Sequence, residues 1–589
     1  MNCTIVKSVF FVISWLALVS GGFFYKKSEK KLVGMTWIPV IILMSTCYHT
    51  MIAAFLDLVH IPVNVVSIGI LDLLAAAWFW YQIKRKKVRQ KYSFAWVDAA
   101  FSVILLLTVL YLDIKHFGGT QLYINYATID PAAHLKAAMD VVHNQSVNNM
   151  FYSALFNGLL IETFAPLTKV DYYYKIFVMG DLLNFGLAGL MFYGVVRRFL
   201  KDRFTTIAGV IVSLAYLIGY PLCSILYGFV YLGMGVTIIA MLIVLSDTFM
   251  RDEIAKRWNI LFLMLGCFAI FECYVLFMPV TFFALICCIF VKQWRNKCLV
   301  SKDTVFTCLQ IFLLPCILGF VFTYAGIFAG GVTVSSAISA EGACYRDMYS
   351  NFLPFLPLML YGFWMGLKKR ENHLLMFLMP FTGIFVVALF LLGMKGKVSS
   401  YYFYKNYNLL WLLVFVLMFY GITYAEKQTR VLVGTIFLTW CFVAGIYITG
   451  LEDRIQAKYG LFDPTPKSAS LNDLYNFNRT TLFTPGYSYD KRELYHYVYD
   501  KLLQKGEKMV AISCFWQDDI WFQAITDQRL DGWDYASDNH TAYYNKLESS
   551  GANYIVVLYD GKLYQDNPKY YDKLEKIYEN PAGFVAKLK

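Results

Sequence analysis

The run PVNVVSIGILDLLAAAWFWYQIKRKKVRQK, residues 62–91, sets the architecture of the whole chain. Residues 62–81 are mostly apolar, and about twenty such residues are the length that an α-helix needs to cross a bilayer. Five basic residues follow within the next eight positions, namely Lys84, Arg85, Lys86, Lys87 and Arg89. Because Lys and Arg collect on the cytoplasmic side of membrane proteins, the run predicts a transmembrane helix that ends in the cytoplasm.

The composition of all 589 residues agrees with a membrane protein. Hydrophobic residues make up 58%, charged residues 16%, and the mean hydropathy is +0.51. These values exclude a soluble enzyme, a disordered chain and a secreted disulfide scaffold. The net charge is +12, but residues 451–589 alone carry −3, so the positive excess belongs to the membrane part. Nucleic-acid binding needs a basic wet surface, and we therefore expect no nucleic-acid partner.

Hydrophobic runs and basic clusters together predict the topology. All seven basic clusters lie inside if fourteen runs cross the membrane and both termini lie outside. The fourteen runs are residues 9–24, 34–56, 62–81, 94–112, 176–196, 205–222, 226–245, 260–271, 274–291, 305–329, 352–367, 374–392, 407–424 and 431–449. Residues 151–167 then must not cross, and we predict a helix in the outer leaflet there. The expected fold is a polytopic α-helical membrane protein with about 14 transmembrane helices.

Three parts follow from this topology. Residues 1–92 form an N-terminal three-helix segment, residues 93–450 a membrane core with a large outer loop at 113–175, and residues 451–589 an extracytoplasmic domain. In the last part, strands predicted at 509–513, 554–559 and 584–588 alternate with helices predicted at 520–527, 541–549 and 568–578. The alternation predicts a small α/β domain. The expected location is the plasma membrane, with multiple passes.

The outer loop contains the stretch with the most chemical information, YATIDPAAHLKAAMD at residues 126–140. Asp130 before Pro131 is a typical helix N-cap arrangement, which is a structural role in itself. The position also suits function, because Asp130 follows closely on the outer end of a predicted span. Helix-terminal amides are expected to keep its carboxyl group ionised. His134 lies one turn later on the same helix face. Asp130 is the candidate general base, with His134 as a second donor or an orienting group.

This layout resembles the GT-C superfamily of membrane glycosyltransferases, which includes protein O-mannosyltransferases and aminoarabinose transferases. The resemblance covers residues from about 94 to the C-terminus. It depends on an acidic motif early in a large outer loop, followed by further spans and an outer tail. It implies an enzyme that transfers a hexose or pentose from a polyprenyl-phosphate carrier, here expected to be undecaprenyl phosphate. The acceptor would be an extracytoplasmic glycan, lipid or protein, so that the activity belongs to cell-envelope or cell-wall biogenesis.

Such a transfer needs cations for the departing lipid phosphate. Basic residues are scarce in the predicted outer loops, so those present are candidates for donor binding: Arg346, Lys397 and Lys405. An aromatic belt with snorkelling amines is the structural alternative for this group. Possible substrate-binding residues are Glu272, Tyr402 and Tyr404. Asp518 and Asp519, beside Trp516 and Trp521, could bind carbohydrate or cap a helix.

The sequence leaves open whether the protein binds a metal ion and whether it has a different function. The loop after 205–222 reads GYPLC at residues 219–223 and lacks the second acidic pair of an oligosaccharyltransferase-like metal site. No metal ligand is therefore assigned, although a divalent ion, Mg or Mn, stays possible as a cofactor. The alternative functions are a transporter or flippase of lipid-linked saccharides, and a non-catalytic protein of cell-envelope assembly.

Overall fold

The computed structural model describes the following parts of the chain: residues 3–119, 123–147, 152–168, 173–296, 301–324, 338–342, 344–346, 351–425, 474, 477–478, 481–482, 489–505, 507, 510–513, 516–526, 545, 547, 549 and 551–588. Eleven helices among these residues are long and apolar enough to cross a membrane. The prediction of a polytopic α-helical membrane protein is thereby confirmed.

The helices of the membrane part are numbered along the chain. They are α1 Cys3–Phe24, α2 Gly34–Leu58, α3 Val65–Lys86, α4 Trp96–Tyr111, α5 Asp130–Asn144, α6 Tyr152–Thr168, α7 Tyr173–Val196, α8 Arg203–Leu217, α9 Tyr220–Tyr227, α10 Val230–Met250, α11 Lys256–Cys273, α12 Met278–Arg295, α13 Lys302–Gly319, α14 Leu356–Lys369, α15 His373–Met394, α16 Ser400–Lys405 and α17 Tyr407–Ala425.

The eleven candidate spans coincide with eleven of the fourteen predicted runs. Two further runs are helical but differ from typical spans: α11 carries Lys256, Arg257 and Glu272 within its eighteen residues, and α14 has only fourteen residues. The last run, residues 431–449, lies outside the described residues. The number of fourteen spans therefore stays a prediction, whereas the positions of eleven predicted runs agree with those of the candidate spans.

The N-terminal helices are packed into the membrane core. Thr36 of α2 donates a hydrogen bond from Oγ1 to the carbonyl oxygen of Gly194 in α7 at 2.7 Å. Gly194 permits this approach, because a Cβ there would lie 3.0 Å from the carbonyl oxygen of Met35. On the basic side, strand β1 (Leu32–Val33) pairs in parallel with β2 (Tyr92–Ser93) and joins two connecting loops.

Ion pairs fix the basic ends of several helices. Arg197 Nε lies 2.8 Å from Asp98 Oδ1, which links α7 to α4. Arg198 Nη2 contacts both Asp247 at 2.5 Å and Glu253 at 2.8 Å, which links α7 to α10 and the following turn. Buried charges of this kind are costly unless they are paired. The clusters used to assign the cytoplasmic side therefore also hold the bundle together.

Helix α6 covers the predicted non-crossing segment and packs under the outer loop. A Cβ on Gly158 would lie 3.0 Å from the carbonyl oxygen of Ala138 in α5, so the two helices are in close contact. Glu162 Oε2 accepts a hydrogen bond from the backbone amide of Val65 at 3.0 Å, which caps the start of α3. Helix α6 is shorter than the eleven candidate spans. Its position in the outer leaflet remains a prediction.

The C-terminal part contains a four-stranded sheet with the strand order β3-β4-β6-β5. Strand β3 is parallel to β4, and the other two pairs are antiparallel. Its elements are α18 Tyr489–Tyr497, β3 Val510–Ser513, α19 Trp516–Thr526, β4 Tyr554–Leu558, α20 Lys562–Asp566, α21 Pro568–Tyr571, β5 Glu575–Asn580 and β6 Gly583–Lys587. Three predicted strands are thus present, and the predicted helix at 520–527 corresponds to α19.

Two helix predictions in this part need comment. The helix predicted at 568–578 is wrong beyond Tyr571, because residues 575–580 form β5 and pair with β6. The stretch PKYYDKLEKIY has no clear periodicity that distinguishes a strand from a helix, and here the edge of β6 provides the backbone partners of residues 575–580. The helix predicted at 541–549 falls mostly outside the described residues, although residues 545, 547 and 549 are helical.

Close packing of α14 against α17 gives a test of the fold. A Cβ on Gly362 would lie 1.9 Å from the carbonyl oxygen of Leu417, and one on Gly421 would lie 2.5 Å from that of Leu358. We expect Gly362→Ala to destabilise the protein by about 1–3 kcal/mol, because the helices must separate. Gly383→Ala is the control, since that position has no neighbouring atom within 4 Å of its Cβ. Equal melting temperatures of the two variants in detergent would contradict this packing.

Candidate functional site

The segment that leads into α5 is fixed to the turn between α9 and α10. The backbone amide of Ala127 donates to the carbonyl oxygen of Leu226 at 2.8 Å. Thr128 Oγ1 donates to the carbonyl oxygen of Tyr227 at 2.7 Å. These two bonds hold the outer loop on the membrane core at the point where α5 begins.

Gly228 makes this contact possible. Its φ of +73° is in the left-handed region that favours glycine, and it ends α9. A Cβ there would lie 1.9 Å from Cγ of Pro131, so another side chain would push α5 away. Neither property is visible in the local sequence of α5. The glycine therefore positions the candidate base from a distant part of the chain.

Asp130 is the first residue of α5 and does not have the predicted N-cap role. The N-cap position is occupied by Ile129, without a side-chain cap, and Pro131 follows in the first turn. The amide of Asp130 donates to Thr128 Oγ1 at 3.3 Å. The N-cap interpretation is therefore wrong, because Thr128 takes part in the turn before the helix. The carboxyl group of Asp130 stays available for another role.

Lys405 faces this carboxyl group from α16. Its side chain is 3% exposed, and Nζ lies 3.1 Å from the ring centre of Phe229 and 4.6 Å from that of Tyr401. Lys405 was expected in an outer loop, with a snorkelling amine as the structural alternative. It is instead buried at the end of α16, where burial disfavours the ammonium group and the charge of Asp130 and the aromatic faces offset part of this cost.

Asp130 and Lys405 interact electrostatically across a gap. Both residues are described, and no direct ion pair joins them, although each influences the other's charge. Burial raises the pKa of Asp130 above its ordinary value, and Lys405 opposes part of this rise. The expectation that helix-terminal amides keep this carboxyl group ionised stays a prediction.

His134 lies beside Asp130, as the spacing predicted. Its ring centre is 4.0 Å from that of Tyr231 in α10. Burial and the charge of Lys405 lower the pKa of His134 to about 3, so the imidazole is neutral near pH 7. Its Nδ1 atom is buried without a hydrogen-bond partner in the described part of the chain. A neutral imidazole with one unused nitrogen can orient a hydroxyl group.

Arg346 joins the same region through α16. Its guanidinium donates to Ser400 Oγ at 3.2 Å and forms an ion pair with Glu341 at 3.0 Å. The backbone of the preceding loop is close to α16, since a Cβ on Gly342 would lie 2.7 Å from the ring of Tyr401. Arg346 therefore contacts Ser400, the first residue of α16, whereas Lys405 is its last residue. Part of the charge of Arg346 is already neutralised.

The remaining predicted residues are distributed differently. Glu272 is buried at the end of α11. Its neighbour Cys273 donates to the carbonyl oxygen of Tyr231 at 3.1 Å, and the ring of Tyr231 contacts His134, so this end of α11 lies near His134. Tyr404 is buried among Phe403 and Tyr407 and belongs to the packed interior. Tyr402 is half-buried, and Lys397 is exposed in the turn after α15. The structure brings together Asp130, His134, Lys405 and Arg346, with Glu272 nearby.

A small cavity beside Phe229, with a few polar side chains in a mostly apolar lining, was not anticipated. It has a volume of about 40 Å³, enough for one or two water molecules. Asp181 of α7 lines it and accepts a hydrogen bond from Tyr126 Oη at 2.6 Å. Ser224 Oγ donates to Asn408 Oδ1 at 2.9 Å on another wall. The available signal was Asp181 itself, an acid inside an apolar run.

The C-terminal part covers the outer face of α5. The ring of Trp521 is stacked on Tyr126 with centres 6.2 Å apart, and Lys136 Nζ donates to Gln523 Oε1 at 2.8 Å. Asp518 forms an ion pair with Lys491 at 3.2 Å and therefore has a structural partner. The side chains of Asp519 and Trp516 lie outside the described residues, so the carbohydrate-binding hypothesis for this pair stays a prediction.

Comparisons with known proteins assign this chain to no family, so that its class is defined by its fold. Among the described residues, no group of three or more His, Cys, Asp or Glu side chains could hold a metal ion. No protein-family model matches the chain, and a search of curated proteins gives no significant match. The chain is a polytopic α-helical membrane protein. Its function must be argued from its own residues.

The contact of Gly228 with Pro131 can be tested by substitution. Gly228→Ala places a methyl group against Pro131 and requires a strained left-handed conformation, which costs about 1–3 kcal/mol. We expect faster proteolysis of the outer loop near residue 130. Gly233→Ala is the matched control, because the nearest atom to its Cβ is 3.9 Å away. Identical cleavage rates in both variants would contradict the assigned docking of α5.

Proposed function

We propose that this chain is an integral membrane glycosyltransferase that transfers a sugar from a polyprenyl-phosphate donor to an extracytoplasmic acceptor. The observation that supports it most directly is the electrostatic interaction of the half-buried carboxyl group of Asp130 with the buried side chain of Lys405, to which no direct ion pair joins it. The proposal includes membership of the GT-C superfamily, a location in the plasma membrane and an extracytoplasmic C-terminal part.

Asp130 supplies the base in this proposal. The acceptor oxygen attacks the anomeric carbon of the donor sugar, and the carboxylate takes the proton of the acceptor hydroxyl group. A positioned general base contributes about 10²–10⁴-fold to such a step. Burial of Asp130 supports this role, since a raised pKa makes the carboxylate a stronger base. His134 stays neutral and orients the hydroxyl group through its unused Nδ1.

Lys405 and Arg346 serve the leaving group. As the bond between the anomeric carbon and the phosphate oxygen breaks, the electron pair leaves with the lipid phosphate. The ammonium of Lys405 lies where a phosphate could approach it from the gap, and Arg346 adds a guanidinium at the other end of α16. A buried cation stabilises developing charge far better than an exposed one, and the departing phosphate in turn favours the protonated form of Lys405. Exposed Lys397 is left outside this group.

The donor and acceptor come from different sides of the site. The lipid chain of the donor reaches the site from the bilayer, beside α16 and α17. The acceptor enters from the wet side, where α19 forms part of the cover over α5. The acceptor is proposed to be a glycan, lipid or protein of the cell envelope, and undecaprenyl phosphate the carrier. No step in this proposal depends on a metal ion.

The proposal predicts that Asp130→Asn abolishes turnover but keeps the donor. We expect release of polyprenyl phosphate from reconstituted protein to fall by about 10²–10⁴-fold, with binding of the donor lipid within a factor of about three. Asp57→Asn is the control, because this carboxylate lies in the last turn of α2, at a predicted outer end, and has no side-chain hydrogen bond or ion pair to α5 among the described residues. Full activity of Asp130→Asn would exclude the proposed base.

A second prediction concerns pH. Turnover requires the carboxylate form of Asp130, so the rate rises with pH through the pKa of this group. Lys405→Gln removes the charge that opposes the rise in pKa, and the acid limb of kcat/KM should therefore move to higher pH. Lys405→Arg keeps a charge and should retain the original limb. If the acid limb of kcat/KM lies at the same pH in the unmodified protein, Lys405→Gln and Lys405→Arg, Lys405 does not act on Asp130.

A transporter of lipid-linked saccharides is the second candidate, supported by one observation. His49 Nε2 lies 2.9 Å from Asp72 Oδ2 between α2 and α3, and such ionisable pairs inside a membrane are typical of transport pathways. The same Asp130→Asn protein distinguishes the two functions. A transporter would keep its translocation rate and would not release the carrier phosphate.

A further inference from the structure

A crevice on the basic side of the membrane lies far from the proposed active site. It has a volume of about 290 Å³ and lies between α1, α2, α3 and α11. Its lining is almost entirely apolar and includes Leu18, Ile41, Met44, Phe79, Phe262 and Leu265. All four helices contribute the half that is nearer to their basic ends. The crevice therefore lies in the leaflet opposite to Asp130.

The crevice opens toward the lipid. Trp78 is 44% exposed and Leu261 37% exposed on its two sides, whereas Ile41 and Met44 at its back are buried. From Trp258 to Leu265 the wall formed by α11 runs for two turns, about 10 Å. An apolar slot of this length, reached from the bilayer, fits part of one hydrocarbon chain.

Aromatic rings surround the end of the crevice that faces the membrane surface. The ring of Trp258 lies 5.2 Å from that of Tyr25, 5.8 Å from Phe79 and 5.9 Å from Trp78. Indole and phenol groups are enriched at the headgroup level of bilayers. This end of the crevice therefore corresponds to the depth of a lipid headgroup.

A guanidinium group lies at the same end. Arg257 Nη2 donates to Tyr25 Oη at 3.4 Å, and its Cζ is 6.0 Å from the ring of Trp258. Neither contact neutralises the charge. Lys27 also lines the crevice, but its ammonium is held by the carbonyl oxygens of Gly22 and Tyr25, and burial lowers its pKa to about 7. Arg257 therefore contributes a permanent charge at the headgroup end.

We propose that this crevice binds an anionic phospholipid of the cytoplasmic leaflet, with one acyl chain in the apolar slot and the phosphate on Arg257. Charge complementarity favours this occupant over a neutral lipid, because a guanidinium binds phosphate through charge-assisted hydrogen bonds. The N-terminal helices α1 to α3 form most of the slot. The bound lipid would thereby join this segment to α11 and the core, independently of the proposed transferase activity.

The test uses the full chain reconstituted in vesicles of phosphatidylcholine and phosphatidylglycerol. The protein is extracted in mild detergent, and bound lipid is measured by native mass spectrometry. We expect phosphatidylglycerol to be retained preferentially by the unmodified protein. Arg257→Gln should reduce its retention about tenfold, and Arg257→Lys should restore most of it. Equal retention of phosphatidylcholine and phosphatidylglycerol by the unmodified protein would overturn the proposal.

Two further variants separate this site from general effects. Gly22→Leu fills the slot, because a Cβ at Gly22 has its nearest neighbour at an ordinary 3.7 Å, and it should also reduce retention about tenfold. Arg203→Gln removes a positive charge from another exposed basic cluster and should retain the lipid. Asp130→Asn should retain it too, whatever the outcome for turnover. Unchanged retention in both Arg257→Gln and Gly22→Leu would refute the site.

Discussion

The electrostatic interaction of Asp130 with Lys405 is the constraint on which the functional account depends. Lys405 is buried and Asp130 is half-buried, and a charge in such a position is costly when it has no opposite charge nearby. Together they are tolerated, because the aromatic faces of Phe229 and Tyr401 hold the ammonium while the carboxyl group faces it across a gap. The proposed function assigns to this site a ligand with both a hydrogen-bond donor and an anionic group.

Much of the surrounding structure serves to hold this arrangement. Gly228 lets Pro131 approach the α9–α10 turn, and two hydrogen bonds from residues 127 and 128 fix the entry to α5. From the wet side, Trp521 is stacked on Tyr126, whose hydroxyl group reaches Asp181 in the membrane core. The loop, the bundle and the C-terminal part therefore meet around one helix. A glycosyltransferase needs such a meeting of lipid and water.

The sequence predicted those features that depend on local periodicity. Eleven spans follow from apolar length, and the placement of His134 beside Asp130 follows from helical spacing. The burial of Lys405 was not predictable, because it depends on Phe229 and Asp130, which are distant in the chain. The role of Gly228 was missed for the same reason. Strand β5 was taken for a helix, since only its pairing with β6 distinguishes the two.

The central claim is that the lipid phosphate and the acceptor hydroxyl group meet between Lys405 and Asp130. A cryo-electron microscopy structure of the protein in a lipid nanodisc, with a non-transferable polyprenyl-phosphate sugar bound, tests it most directly. The account predicts phosphate density within hydrogen-bonding distance of Lys405 Nζ and the sugar turned toward Asp130. Phosphate density on the opposite side of the membrane, or away from α16, would contradict it.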